Sequence, residues 1–349
     1  VEAAFLDIHY WKLLLSQPIS VLKQEAVRLD SLDPWFSLFL FLLASAVMIW
    51  RLGALEKKGF EGTALGTLIM PYASGFSNLA FAFILGTSGG SGSLVLENCL
   101  VNNTTNLTLI IGLSTLCWTL VVIPSSPKKS RKGALRTARV NHLSLLLSLV
   151  ALFFFTGTLW ALAGDGAIDF SDGLVLVGMF FFWQLFQVFD VLKDNVIRKR
   201  TLPKSIVFDF FTILATGVAV YYSIDRLVAW VPREGSGFLV FDNLGWLTGL
   251  LMVFPNALVA LYYAWARRAD IVFSSQIGDG HICIPMCVGI FALFKPIEIP
   301  GFFNLSIGIV LAAGFLLFLF LVFLGRLPKA AGLLLTGAYG LFIYQGLIS

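Results

Sequence analysis

The chain has 349 residues, 58% of them apolar and only 13% charged, with a formal net charge of +4 and a mean hydropathy of +0.88. Soluble domains carry roughly 25% charged residues, so this chain lacks the polar surface to cover a water-soluble body, and most of it must face lipid or other helices. The four cysteines, Cys99, Cys117, Cys283 and Cys287, lie in apolar stretches, which argues against a disulfide framework.

In chain order, residues 1–33 mix apolar and charged side chains around Pro18 and read as an interfacial or extramembrane segment. Apolar runs long enough to span a bilayer, roughly 20 residues each, then predict ten helices. The first five are 34–50, 60–85, 92–123, 141–163 and 173–192. The second five are 205–230, 239–266, 271–294, 302–325 and 328–348.

Basic residues cluster in every second connection. Arg51, Lys57 and Lys58 follow the first run, and Lys128, Lys129, Arg131, Lys132, Arg136 and Arg139 follow the third. Lys193, Arg198, Lys199, Arg200 and Lys204 follow the fifth, Arg267 and Arg268 the seventh, and Arg326 and Lys329 the ninth. Positive residues mark cytoplasmic loops, so the pattern predicts a cell (inner) membrane protein with basic loops cytoplasmic and both termini outside. Five helices followed by five more insert the halves in opposite orientations. The fold class predicted is therefore all-α integral membrane, with ten transmembrane helices as two inverted five-helix repeats. The repeats are residues 34–192 and 205–349, joined by a cytoplasmic basic linker, 193–204.

Polar residues interrupt the second and third runs. They begin with the stretch from Pro71 to Asn78, continue through the glycine-rich turn at 86–92, and end with Glu97, Asn98, Asn102, Asn103 and Asn106. Asn98, Asn102 and Asn106 recur every four residues and share one helix face. The second half repeats the pattern with Pro255-Asn256 in the seventh run and Ser275, Asp279 and Cys283 in the eighth. Gly278, Gly280 and Pro285 are expected to weaken that helix and free backbone carbonyls. Ionisable residues inside a membrane segment are costly, about 2.5–3.5 kcal/mol on insertion scales, and mark function by default. Glue between helices is the alternative for the asparagines. His281, Cys283 and Cys287 offer a soft-metal alternative, and His281 a proton-sensitive neighbour for Asp279.

These stretches resemble the alpha repeats of the calcium/cation antiporter superfamily, which includes the sodium/calcium exchangers. That repeat resembles a Pro-Glu pair on one helix followed by Gly-Asn-x-x-Gly-Ser-Asn-x-x-Asn on the next. Glu97 to Asn106 takes the second element in one half and Ser274 to Cys283 in the other, with Gly112 and Gly289 following at one offset. The Pro-Glu element appears as Ser77-Asn78 and Pro255-Asn256, so the family's glutamates are amides here. Glu97 stands at the motif's glycine and Asp279 at the motif's serine.

The resemblance implies a secondary-active cation antiporter working by alternating access through a midplane site. Glu97 and Asp279 would supply the charge, with Asn78, Asn98, Asn102, Asn106, Asn256 and Ser275 as neutral oxygen ligands. The transported ions would be Ca2+ with Na+ or H+, and the partners lipid and inorganic cations. Alternatives are a proton-coupled or other-cation transporter of the same fold, or a non-transporting receptor or scaffold that lost the original site. A membrane enzyme would need a nucleophile–base set or metal cluster. The histidines His9, His142 and His281 provide no convincing one.

Overall fold

The computed structural model describes residues 34–57, 70–123, 132–198, 206–231 and 238–348. The amino-terminal segment, the predicted start of the second run at residue 60 and the linker beyond Arg198 lie outside the described residues. The first half contains α1 (Pro34–Lys57), α2 (Met70–Ser88), α3 (Gly92–Thr104), a π-turn (Thr105–Ile110), α4 (Ile111–Trp118), α5 (Lys132–Leu162) and α6 (Phe170–Arg198). The second contains α7 (Ile206–Trp230), α8 (Leu244–Trp265), α9 (Ala269–Ile282), a second π-turn (Cys283–Cys287), α10 (Val288–Ala292), α11 (Phe303–Leu324) and α12 (Lys329–Ile343). The chain is an all-α membrane protein. Lys193–Arg198, read as the start of a linker, continues α6 as helix.

Among the described residues, six helical segments are by themselves long and apolar enough to cross a membrane. Pro34–Met48 and Gly75–Ser88 are shorter apolar stretches, and the stack 92–118 carries the polar residues and the π-turn. Burial separates core from periphery. The stretch Ala269–Ala292 is 89% buried, whereas Val207–Trp230 is 29% buried and Phe170–Val188 33%. The outer helices expose large apolar side chains such as Phe181, Phe182, Phe211 and Phe323. An apolar surface of that extent requires lipid.

The packing of the second half repeats that of the first with partners exchanged. Helix α3 packs on α8, and α9 on α2. Helix α4 packs on α12, and α10 on α6; α5 packs on α9, and α11 on α3. Helices α1 and α7 pack on each other, as do α5 and α11. The short strands obey the same exchange: β1 (Leu120–Val121) pairs antiparallel with β4 (Arg326–Leu327), and β2 (Ala167–Ile168) with β3 (Ile297–Glu298). The predicted alternation of loops requires the connections after the third and ninth runs to share one face, and those after the fourth and eighth to share the other. The strand pairs join the end of the third predicted run to the connection after the ninth, and the connection after the fourth to that after the eighth.

Two glycine crossings show the exchange at atomic detail. A Cβ on Gly112 would lie 3.0 Å from the carbonyl oxygen of Gly332 and 2.6 Å from Thr336 Oγ1. A Cβ on Gly289 would lie 3.1 Å from the carbonyl oxygen of Gly173 and 3.0 Å from Leu176 Cβ. Small residues let helix backbones touch where lipid supplies no hydrophobic drive. Placing Gly112 on Gly289 sets Asn98 on Ser275, Asn102 on Asp279 and Asn106 on Cys283.

The π-turns fall at matching places and have different causes. In the first half, Thr105 donates to the Val101 carbonyl at 2.7 Å and Thr108 to that of Thr104. Such back-bonding competes with the helix's own amides and opens the turn. In the second, Pro285 supplies no N–H and its ring crowds the carbonyl four residues back. Of Gly278, Gly280 and Pro285, expected to weaken this helix, only Pro285 lies where it departs from α-geometry, since α9 runs through both glycines to Ile282. Gly280 instead admits a neighbour: its Cβ would sit 2.8 Å from Asn103 Oδ1.

Candidate functional site

Five buried polar side chains from both halves meet where α3 and its π-turn cross α9. Asn78 comes from α2, Asn102 from α3, Asn106 from the first π-turn, Asn256 from α8 and Asp279 from α9. None is more than 3% exposed. They form a continuous string of hydrogen bonds. Asn102 Nδ2 donates to Asn78 Oδ1 at 3.4 Å, and Asn106 Nδ2 to Asn102 Oδ1 at 2.8 Å. Asn106 Nδ2 also donates to Asp279 Oδ2 at 2.7 Å, and Asn256 Nδ2 donates to the same oxygen at 3.2 Å.

Sequence dictates this geometry locally. Asn102 and Asn106 are one turn apart on one face. Asn256 directly follows Pro255, which lies inside α8 and leaves a backbone carbonyl one turn back without its helical donor. Asn106 and Asp279 both lie near the middle of their helical stacks, 92–118 and 269–292, so the string is at mid-depth. Buried polar atoms far from water need partners. Asn106 Oδ1 and Asn78 Nδ2 have none among the described residues. An amide oxygen held beside a carboxylate in a dry interior suits a cation.

Ser275 lies beside this string. Its hydroxyl donates to the Val272 carbonyl at 3.1 Å and accepts from Gln276 Nε2 at 3.0 Å. Gln276 Nε2 also reaches the backbone oxygen of Asn256 at 3.5 Å.

Two predicted site residues stand apart. Asn98 Nδ2 donates to Thr248 Oγ1 at 3.0 Å and lies 3.5 Å from Met252 Sδ, tying α3 to α8 one turn away from Asn102. Glu97 lies closer still to the helix start and presses on the beginning of α8, where a Cβ on Gly245 would lie 2.6 Å from Glu97 Oε2. That oxygen is buried and has no hydrogen-bond partner among the described residues. Five residues along a helix, at roughly 1.5 Å each, put Glu97 about 7.5 Å of axial rise from Asn102. Glu97 and Asp279 are therefore not repeat-related: the counterpart of Asp279 is Asn102, and that of Glu97 is Ser274.

His281 points elsewhere. Its Nε2 lies 2.8 Å from the Ser148 carbonyl of α5, and its ring packs edge-on against Phe155 and Trp183. Asn103, named in the polar stretch but given no part in the site, donates its Nδ2 to the Cys99 carbonyl at 2.7 Å; Gln276 and Thr248 were not singled out. Asn103 points off the face marked by the four-residue repeat, so periodicity gave it no weight.

Comparison with known proteins agrees with the architecture. The family model described as sodium/calcium exchanger protein matches residues 35–189. Among solved structures, the sodium-calcium exchanger NCX_Mj soaked with zero Na+ and Ca2+ is 17% identical, with a TM-score of 0.62 over 88% of this chain and 96% of that one. The same exchanger soaked with 2.5 mM Na+ and 1 mM Sr2+ is 15% identical, with a TM-score of 0.61 over 89% and 96%. Soaked with 10 mM Na+ and 10 mM Sr2+, it is 16% identical, with a TM-score of 0.62 over 90% and 96%. No curated protein matches. The family model thus covers the first half of the chain, and the solved structures share its fold over most of its length.

Proposed function

We propose that this chain is a secondary-active cation antiporter of the sodium/calcium exchanger type, with its transport site centred on Asp279. The observation that carries the reading is the convergence of amides from both halves on that single buried carboxylate. A transporter with repeat-related halves binds its substrate near mid-depth at their interface, and the polar string lies at that interface. In this reading the chain crosses the membrane ten times, with the basic loops in the cytoplasm and both termini outside.

Charge favours a monovalent occupant. One carboxylate neutralises one Na+, and the amide oxygens of Asn78, Asn102, Asn106 and Asn256 complete its coordination by side-chain rotation. Ca2+ takes six to eight oxygens, commonly with several carboxylates, and would draw its second negative charge from Glu97. Exchange follows because an empty ionised site is costly to carry through lipid; the site reorients only when filled. Helices α1 and α7, the exposed pair that pack on each other and on α2, are the elements placed to slide across the core.

The test is flux in proteoliposomes. Vesicles loaded with Na+ or with protons are diluted into Ca2+ medium and uptake is followed. Uptake driven by the sodium gradient supports the reading and names its coupling ion. Absence of any gradient-driven cation movement, with Na+, Ca2+ and Sr2+ each tried, would leave only the fold and favour the non-transporting receptor.

A further inference from the structure

Three cysteine sulfurs converge beside the polar string. The Sγ atoms of Cys99, Cys283 and Cys287 all lie within 4.8 Å of one another, and none of the three residues is more than 1% exposed. Cys99 comes from α3 in the first half, and Cys283 and Cys287 open and close the π-turn of the second. That turn, widened at Pro285, sets Cys283 and Cys287 on one side facing α3. All three are free thiols.

We propose that Cys99, Cys283 and Cys287 form a three-coordinate site for a soft metal ion, Cu(I). The donor set is all sulfur, which selects soft ions over the hard cations of the neighbouring oxygen site. Size fits: an ion in the plane of three sulfurs at about 2.3 Å from each needs sulfur separations of about 4 Å. The triangle reaches that by shifts of about half an ångström per sulfur. Coordination number separates the candidates. Structural Zn2+ takes four protein ligands, and among the described residues no His, Asp or Glu joins the group. His281 is held by the Ser148 carbonyl of α5. The three cysteines are closed off from bulk solvent, which disfavours a water as fourth ligand and leaves a three-coordinate ion. As the ion enters, the ligating thiols release their protons to the medium, and α3 becomes tied to the second π-turn across the interface of the halves.

The experiment uses the full chain, purified reduced and without oxygen, titrated with Cu(I) against the chromophoric chelator bicinchoninate. The expected result is one tightly held Cu(I) per chain, with X-ray absorption showing three sulfur neighbours at about 2.3 Å. Cys99→Ala, Cys283→Ala and Cys287→Ala should each weaken retention at least about 100-fold, while Cys117→Ala, at an exposed cysteine, should leave it unchanged. Copper retained by the triple variant, or bound through nitrogen or oxygen, overturns the site. So does failure of the wild-type chain to compete with the chelator, or a disulfide among the three thiols in the purified protein. If an alanine variant fails to fold, the absorption spectrum of the wild-type chain still decides.

Discussion

Asn106 donates a 2.7 Å hydrogen bond to Asp279, joining the middle of the first half's core helix to the middle of the second's. The two positions are not counterparts: Asn106 matches Cys283, and Asp279 matches Asn102. The halves thus share a fold but carry different side chains at matching positions, an amide opposite a carboxylate at one and an amide opposite a thiol at the next.

That bond makes Asn106 a measurable contributor. A hydrogen bond to a charged group contributes about 1.5–3 kcal/mol. Asn106→Leu is expected to lower stability by about that amount and to weaken sodium binding. Thermal unfolding in detergent, with and without Na+, measures both. An unchanged melting curve would show that the bond does not form in solution.

Glu97 is separated from the string by about a turn and a half of helix and is expected to act as the second charge for divalent ions. Glu97→Gln should reduce calcium flux by about tenfold or more and sodium self-exchange by less than about threefold, since a divalent ion requires more carboxylate. Equal losses for both ions would place Glu97 in the common site instead.

Arg51 Nη1 lies 3.5 Å from Asp209 Oδ1, whose side chain is fully buried. The guanidinium also lies 4.0 Å from the centroid of the Trp50 ring and 5.0 Å from that of Phe208. The pair joins α1 to α7. Removing one member of a buried ion pair costs about 3–5 kcal/mol, whereas replacing both by apolar residues is often neutral. Arg51→Met should therefore destabilise the chain strongly, and Arg51→Met with Asp209→Leu should recover most of the loss. A double variant no better than the single would refute the pairing.

The glycine crossings give a paired prediction. Gly112→Ala and Gly289→Ala each place a methyl against backbone of the opposite helix, and overpacking of this kind costs about 1–3 kcal/mol. Both should lower the unfolding temperature, while Ala at Gly157, with open space around it, should not.

Much of the site was legible in the sequence because polar residues in a long apolar run have few explanations. Asn78, Asn102, Asn106, Asn256 and Asp279 were all marked by that logic, and the structure brings them into one string. The all-α membrane character was visible for the same reason. Glu97 and Asn98 show the limit: hydropathy marks a residue as anomalous, but its depth and its facing helix depend on where the stack begins and what crosses it. The approach of Cys99 to Cys283 and Cys287 was hidden for a similar reason. Their sulfurs meet only through the crossing of two helices far apart in sequence, and His281, nearer in the chain, faces the opposite way.

The most direct test of the central claim is isotope exchange of sodium across proteoliposomes, comparing the wild-type chain with Asp279→Asn. The substitution removes the one charge at the string while keeping its shape. Saturable sodium exchange in the wild type, reduced to the level of empty vesicles in a correctly folded Asp279→Asn chain, is the predicted result. Exchange that persists undiminished in Asp279→Asn would contradict a transport site centred on that carboxylate.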